Sequence, residues 1–210
     1  MNTRYLFSAA GTFTLRDICR VLSVMALLMM SGQTLTAQVP QVLMQPPESA
    51  LLGEYFAFEL SLDNEDSTVI GYDPIVELIM PGLPVNEEGS TVFPEEPTLS
   101  YRLDEATYLG NPVYFEFAGF FDRETGTLEH PITGEIVSGT AGTGMYLVHY
   151  PLSSIAPNQP APVIEVNIRV DALTPIAPQM MAARGFFNYG GDPTGQAAPI
   201  SGEPVEQFVV

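Results

Sequence analysis

Proline and glycine interrupt this chain so often that long helices are nearly excluded. It has 19 prolines and 18 glycines in 210 residues, and few stretches between them could hold a substantial helix. A proline inside a helix costs about 3 kcal/mol, and no segment shows a clear 3.6-residue apolar repeat. The sequence therefore predicts an all-β chain with many turns.

Apolar and polar residues alternate with the period of a β-strand in several segments. The pattern is clearest in Tyr55–Asp63 and 163–171, and it returns in 112–118 and 145–150. Segment 75–80 is more continuously apolar, which is typical of a strand covered on both faces. Further candidate strands are Gln41–Met44, 98–103, 185–189 and Val205–Val209. About nine short strands predict an immunoglobulin-like, two-sheet antiparallel sandwich.

One stretch reads as an excursion from this pattern. Residues 121–135 contain Glu-Thr-Gly-Thr at 124–127, which indicates a surface hairpin turning there. A glycine-rich run, 139–144, follows. No lysine or helical pattern comes after it, so it is interpreted as a connector and not as a phosphate loop.

The N-terminus has the layout of an export signal. A basic start with Arg4, Arg16 and Arg20 leads into an apolar run over 21–30, and small and polar residues follow up to Ala37. This order is typical of a secretory signal peptide cleaved after the small residue. A membrane span needs about 20 apolar residues, so an uncleaved anchor is the alternative that the short run disfavours.

The predicted organisation is a signal peptide over 1–37 and a single sandwich domain over 38–210. The mature chain would then be secreted or held at the cell surface, with no membrane span. Cys19 is the only cysteine and lies in the signal, so the mature chain can form no disulfide. Its stability must come from its core.

The mature chain is strongly acidic. Residues 38–210 keep four of the seven arginines, no lysine and 24 of the 25 acidic residues. Nucleic-acid binding needs a basic surface, so that class is excluded, and anionic membranes are disfavoured. Two ordinary causes remain for the charge: solubility by self-repulsion, or binding of divalent cations.

No arrangement of residues predicts catalysis. His130 and His149 are the only histidines, there is no Gly-x-Ser-x-Gly motif, and residues 38–210 contain no thiol. Two histidines without ligand spacing do not predict zinc. We therefore expect no enzymatic activity and no cofactor, apart from calcium.

Calcium is the sharpest site hypothesis that the residues allow. Asp63 and Asp66 lie where a predicted strand ends, and Asp73 follows after a short excursion. Calcium takes six to eight oxygen ligands, commonly from carboxylates and loop carbonyls. The alternative interpretation is a solvated acidic turn, since no EF-hand pattern is present.

Several segments, in order, resemble a known family. They are 47–56, 60–64 (Leu-Ser-Leu-Asp-Asn), 71–81, 150–160 and 183–193. Together they resemble the opening domain of large bacterial cell-surface proteins built from tandem β-sandwich repeats, the conserved-repeat or adhesin-like proteins. No internal repeat is visible in this chain.

The resemblance implies a non-catalytic module that acts by presentation or adhesion. It also implies that the chain is the N-terminal part of a longer surface protein. Its partners would be the other domains of that protein, or cell-surface and matrix components. A calcium- or glycan-binding module is the alternative. A small outer-membrane barrel is a third, against which the many prolines and the uneven strand spacing argue.

Overall fold

The structure is a computed structural model, and it describes residues 39–65, 67–84 and 97–210. The chain divides into two units, Met1–Thr36 and Ala37–Val210, and all of the first lies outside the described residues. The signal peptide predicted over 1–37 therefore stays a prediction. Within the described ranges, no helix is long and apolar enough to cross a membrane.

The described chain is built from strands and turns. In order, the strands are β1 (Gln41–Met44), β2 (Tyr55–Asp63), β3 (Gly71–Tyr72), β4 (Pro74–Met80), β5 (Tyr101–Tyr108), β6 (Asn111–Pro112), β7 (Phe115–Phe120), β8 (Thr127–Glu129), β9 (Ile136–Ser138), β10 (Gly144–His149), β11 (Ser154–Ile155), β12 (Val163–Val170), β13 (Gln179–Phe187), β14 (Ile200–Ser201) and β15 (Val205–Val209).

These strands form two main antiparallel sheets. The first sheet has the order β1-β2-β12-β5-β6, and the second has the order β14-β13-β4-β10-β7, with β15 also paired to β13. The short pairs β3–β11 and β8–β9 complete the fold. The predicted two-sheet antiparallel sandwich is confirmed.

Period-two alternation builds the core between the sheets. In the first sheet Leu60 pairs with Ile164 and Phe58 with Val166, so their side chains point to the same face. They meet residues of the second sheet such as Leu78, and all of these side chains are buried. Burial of each large apolar side chain contributes about 1.5–3 kcal/mol.

The second sheet is covered on its outer face as well. There the β8–β9 hairpin and Phe121 pack over a second apolar cluster that includes Ile75, Leu147 and Phe186. Strands β4 and β10 are consequently buried on both sides, which confirms the prediction made for 75–80. The predicted turn at 124–127 does form, since Gly126 N–H donates to the Asp122 carbonyl, but the β8–β9 hairpin closes through 130–135, where the backbone of His130 bonds to that of Glu135 and Gly134.

Some predicted boundaries were wrong. Segment 112–118 is not one strand: β6 belongs to the first sheet and β7 to the second, because the chain crosses between the sheets at residues 113–114. The apolar alternation continues through the crossing, since Val113, the residue after β6, is buried. Strand β5 extends beyond the predicted 98–103, and β13 begins before the predicted 185–189.

Candidate functional site

The aspartates predicted to bind calcium have other partners where the structure describes them. Asp63 Oδ1 accepts the backbone N–H of Glu65 at 2.7 Å, and Asp73 Oδ2 accepts a hydrogen bond from Asn188 Nδ2 at 2.8 Å. Asp66 lies outside the described residues. Among the described residues, no group of three or more histidine, cysteine or acidic side chains is placed to hold a metal ion. The calcium site remains a prediction.

The loop after β2 is organised by an amide side chain. Asn64 is buried, and its Nδ2 donates to the carbonyl oxygens of Val69 at 3.0 Å and Ile155 at 2.8 Å. Both amide protons are therefore used, and the loop is tied to β11.

A buried polar group interrupts the apolar outer face of the second sheet. We call Glu77, Arg184 and His130 the Glu77 cluster. Glu77, in β4, is 2% exposed and lies directly opposite Arg184 in β13. Arg184 donates from Nε to Glu77 Oε2 at 2.8 Å, and its Nη2 contacts the same oxygen. A carboxylate in such a place is tolerated because its charge is paired.

His130 brings the hairpin turn onto this carboxylate. Its Nδ1 accepts the backbone N–H groups of Ile132 and Thr133, each at 3.3 Å. In the neutral ring the proton is therefore assigned to Nε2, which lies 3.4 Å from Glu77 Oε1. The two atoms face each other without a well-aligned hydrogen bond. Glu77 and His130 are each 2% exposed, so the cluster fastens the hairpin to the second sheet, whereas Arg184 is 27% exposed and keeps part of its surface in water.

The other histidine belongs to a surface cluster on β7 and β10. His149 Nε2 lies 3.6 Å from Glu116 Oε1, and its ring centroid lies 5.1 Å from that of Tyr114. The Tyr114 hydroxyl donates to Glu116 Oε2 at 3.1 Å, and this bond to the carboxylate raises the pKa of the Tyr114 phenol. No serine or threonine takes part in these contacts, so His149 is not part of a Ser-His-acid arrangement.

A pocket lies between β5 and β12 of the first sheet and β7 and β10 of the second. We call it the arginine pocket; its volume is about 310 Å³. It is lined by Leu99, Arg102, Phe117, Phe120, Tyr146 and Arg169, with Pro97, Thr98 and Asp171 at its margin.

Aromatic rings form the floor of the arginine pocket. The ring of Phe117 lies edge-on to Phe120, with centroids 5.0 Å apart, and its centroid lies 5.1 Å from that of Tyr146. Phe117 is 42% exposed because β7 is the edge strand of its sheet, whereas Tyr146 is buried. The pocket thus presents apolar ring surface to solvent.

Two cations stand side by side at its rim. Arg102 in β5 lies directly opposite Arg169 in β12, and Arg169 in turn lies opposite Tyr55, with its Cζ 6.0 Å from that ring's centroid. Like charges directly opposite each other destabilise a sheet. The ion pairs among the described residues use the carboxylates of Glu77 and Glu116, so none of them neutralises this arginine pair.

Asp171 and Tyr146 are two further polar residues that line the arginine pocket. Asp171 Oδ1 accepts the backbone N–H of Leu173 at 2.8 Å and so caps the turn after β12. Burial raises the pKa of the Tyr146 phenol, while the Arg102 guanidinium and a hydrogen bond with the Leu103 backbone act in the opposite direction. Tyr146 is therefore a neutral hydroxyl close to the cations.

No pattern in the sequence predicts this pocket directly. Arg169 falls on the polar face of the predicted strand 163–171, and Arg102 lies within the predicted 98–103, but neither is a candidate by itself. Their adjacency depends on which strands pair and in what register. The one usable signal was scarcity: they are two of only four arginines in residues 38–210.

No protein-family model and no curated protein matches this sequence. Among solved structures, the chain is similar to a cohesin module from a family 33 glycoside hydrolase of Clostridium perfringens ATCC13124. The identity is 13% and the TM-score 0.42, over 81% of this chain and 95% of that one. It is also similar to AvmM, described as catalysing macrocyclization in alchivemycin A biosynthesis, with 10% identity and a TM-score of 0.43 over 81% and 86% of the two chains. Likenesses at this level say nothing about function.

Proposed function

We propose that this chain is a non-catalytic extracellular β-sandwich module of a bacterial adhesin-like surface protein, and that it acts by adhesion. The observation that carries the proposal is the arginine pocket. Its lining offers two guanidinium groups, those of Arg102 and Arg169, that form no ion pair among the described residues, beside exposed aromatic surface. These groups recognise ligands, and arginine and aromatic residues are enriched where binding energy is concentrated. Other domains of the surface protein, or cell-surface and matrix components, would be the partners.

The positions of the histidines support a binding role. His130 is fixed beneath the hairpin by two backbone N–H groups and Glu77, and His149 contacts Glu116 and Tyr114. A general base must reach a substrate proton within hydrogen-bonding distance. Neither histidine ring lines the arginine pocket, so neither imidazole can transfer a proton to a ligand held there.

The composition supports an exterior location. Residues 38–210 have no cysteine and therefore need no particular redox compartment, and a core from both sheets supplies their stability. The formal charge of −18 for the whole chain favours solubility through self-repulsion. Both features suit a module exposed to a variable medium.

Export is tested first, with the full chain carrying a C-terminal tag in a bacterial host. We expect the protein outside the cytoplasm, with its new N-terminus near Gln38 by mass spectrometry. Full-length protein retained in the cytoplasm would contradict the extracellular assignment.

Adhesion is tested with the exported protein coupled to beads through the tag. Beads are passed under flow over surfaces coated with bacterial cell-wall and matrix extracts. We expect retention above that of uncoated beads, and a several-fold loss with the double variant Arg102→Gln/Arg169→Gln. Arg123→Gln is the matched control, because Arg123 lies in a turn outside the arginine pocket. Retention equal to that of uncoated beads on every surface would refute adhesion.

A further inference from the structure

We infer that the arginine pocket binds a small monocarboxylate attached to a ring. This inference rests on the proposed adhesive function and names the chemistry of its ligand. It starts from the pair Arg102 and Arg169, which face each other across β5 and β12 and form no ion pair among the described residues, although Asp171 lines the same pocket. An anion between them would relieve the repulsion between like charges.

Arginine favours a carboxylate over a spherical anion. Each guanidinium is a planar fork of N–H donors that matches the two oxygens of a carboxylate. The neutral Tyr146 hydroxyl adds a further hydrogen-bonding group beside Arg102. These donors would fix the acid group of the ligand at the rim of the pocket.

The floor specifies the rest of the ligand. Phe117 and Phe120 expose ring edges and faces to the cavity, on which a flat or ring-shaped body can pack. A volume of about 310 Å³ lies at the lower end of the range for ligand sites, about 300–1,000 Å³. It therefore holds a single ring and not an extended chain.

The overall charge of the protein limits the charge of the ligand. With 24 acidic residues against four arginines in residues 38–210, the surrounding field repels polyanions. Asp171 at the pocket margin adds to that repulsion. A single carboxylate next to the arginine pair gains the local attraction and meets little of the long-range repulsion.

The test is saturation-transfer NMR on the exported protein with phenylacetate and glucuronate as probes. These two acids distinguish an aromatic body from a sugar body. We expect saturable binding of at least one acid, weakened at least about tenfold in Arg102→Gln/Arg169→Gln, since two charge-assisted contacts are lost. Arg123→Gln, which removes a charge elsewhere, should leave the affinity unchanged.

Two further variants guard against misfolding and charge effects. Arg102→Lys keeps the charge but loses the fork, and should bind more weakly than the native protein. Phe117→Ser should weaken the binding of phenylacetate or glucuronate but leave the binding of acetate unchanged. A thermal melt establishes that each variant is folded, which we expect because both arginines are exposed.

Several results would overturn the inference. They are saturable binding of neither acid, binding unchanged in the double glutamine variant, phosphate bound as tightly as the acids, or phenylacetamide bound as tightly as phenylacetate. If the acids bind but the beads are not retained, the adhesive function is contradicted and the carboxylate site is supported. If bead retention is the same in Arg102→Gln/Arg169→Gln as in the native protein, the arginine pocket is not the adhesive site, but adhesion itself is supported.

Discussion

Replacing Glu77 by alanine would remove the one carboxylate that pairs with Arg184 among the described residues and leave that guanidinium against the apolar outer face of the second sheet. Removing one partner of a buried ion pair costs about 3–5 kcal/mol. The Arg184 side chain is 27% exposed, so water can reach part of its charge and the lower end of that range applies. We expect a loss of about 3 kcal/mol in the free energy of unfolding. For a chain of this size that corresponds to a fall in Tm of about 6–12 °C.

The measurement is thermal and urea unfolding of the purified protein, followed by circular dichroism. Glu165→Gln is the control, because Glu165 is exposed and lies opposite Glu59, so its loss removes a repulsion. A double-mutant cycle with Arg184→Gln isolates the coupling energy of the pair. If Glu77→Ala unfolds no more easily than the control, the Glu77 cluster does not stabilise the fold and our reasoning is wrong.

Hydrogen exchange locates the effect. Since His130 joins the hairpin to Glu77, amide protection should fall in β8 and β9 before it falls in β2 and β12. Uniform loss of protection over the whole sandwich would show that the cluster does not act through the hairpin.

Three further expectations follow from single side chains. Leu60→Ala, at a fully buried position, should cost about 2–5 kcal/mol by denaturant unfolding, whereas Leu43→Ala, at a position 56% exposed, should change little. Hydrogen bonds from the backbone and side chain of Thr125 lower the pKa of Asp122. Asp122 should therefore stabilise the fold above about pH 4 and lose that contribution as pH falls through its folded pKa, and an NMR titration of the native protein with Asp122→Asn as comparison checks this. If calcium binds as predicted, millimolar calcium should raise Tm relative to chelator and to matched ionic strength, and Asp63→Asn should reduce the rise; no change would remove the metal.

The sequence was sufficient to predict a strand where one face of that strand is buried and the other is exposed to solvent. Strands β1, β2 and β15 have the predicted bounds, and β12 differs from its prediction by one residue. In β10 the alternation also sorted side chains correctly, since Tyr146 faces the core between the sheets and Leu147 faces the cluster under the hairpin. Burial decides these patterns locally, so they can be read without knowing the partner strand.

What depends on pairing could not be read in this way. Glu77 appeared in the sequence only as a polar exception in an apolar run, because its partners come from positions 53 and 107 residues away along the chain. Arg102 and Arg169 became neighbours only through the register of β5 and β12. Strand register is set by the tertiary fold, and period-two patterns do not specify which strands meet.

The placement of the arginines also decides where a protease that cuts after basic residues can cleave the folded chain. With no lysine in residues 38–210, a protease that cuts after basic residues has four sites there. Arg102, Arg169 and Arg184 lie within strands β5, β12 and β13, where the backbone is held in a ladder and does not fit a protease cleft. Arg123 lies in the turn before β8. Such an enzyme would thus nick the folded chain at one peptide bond and leave two fragments that the sheets hold together.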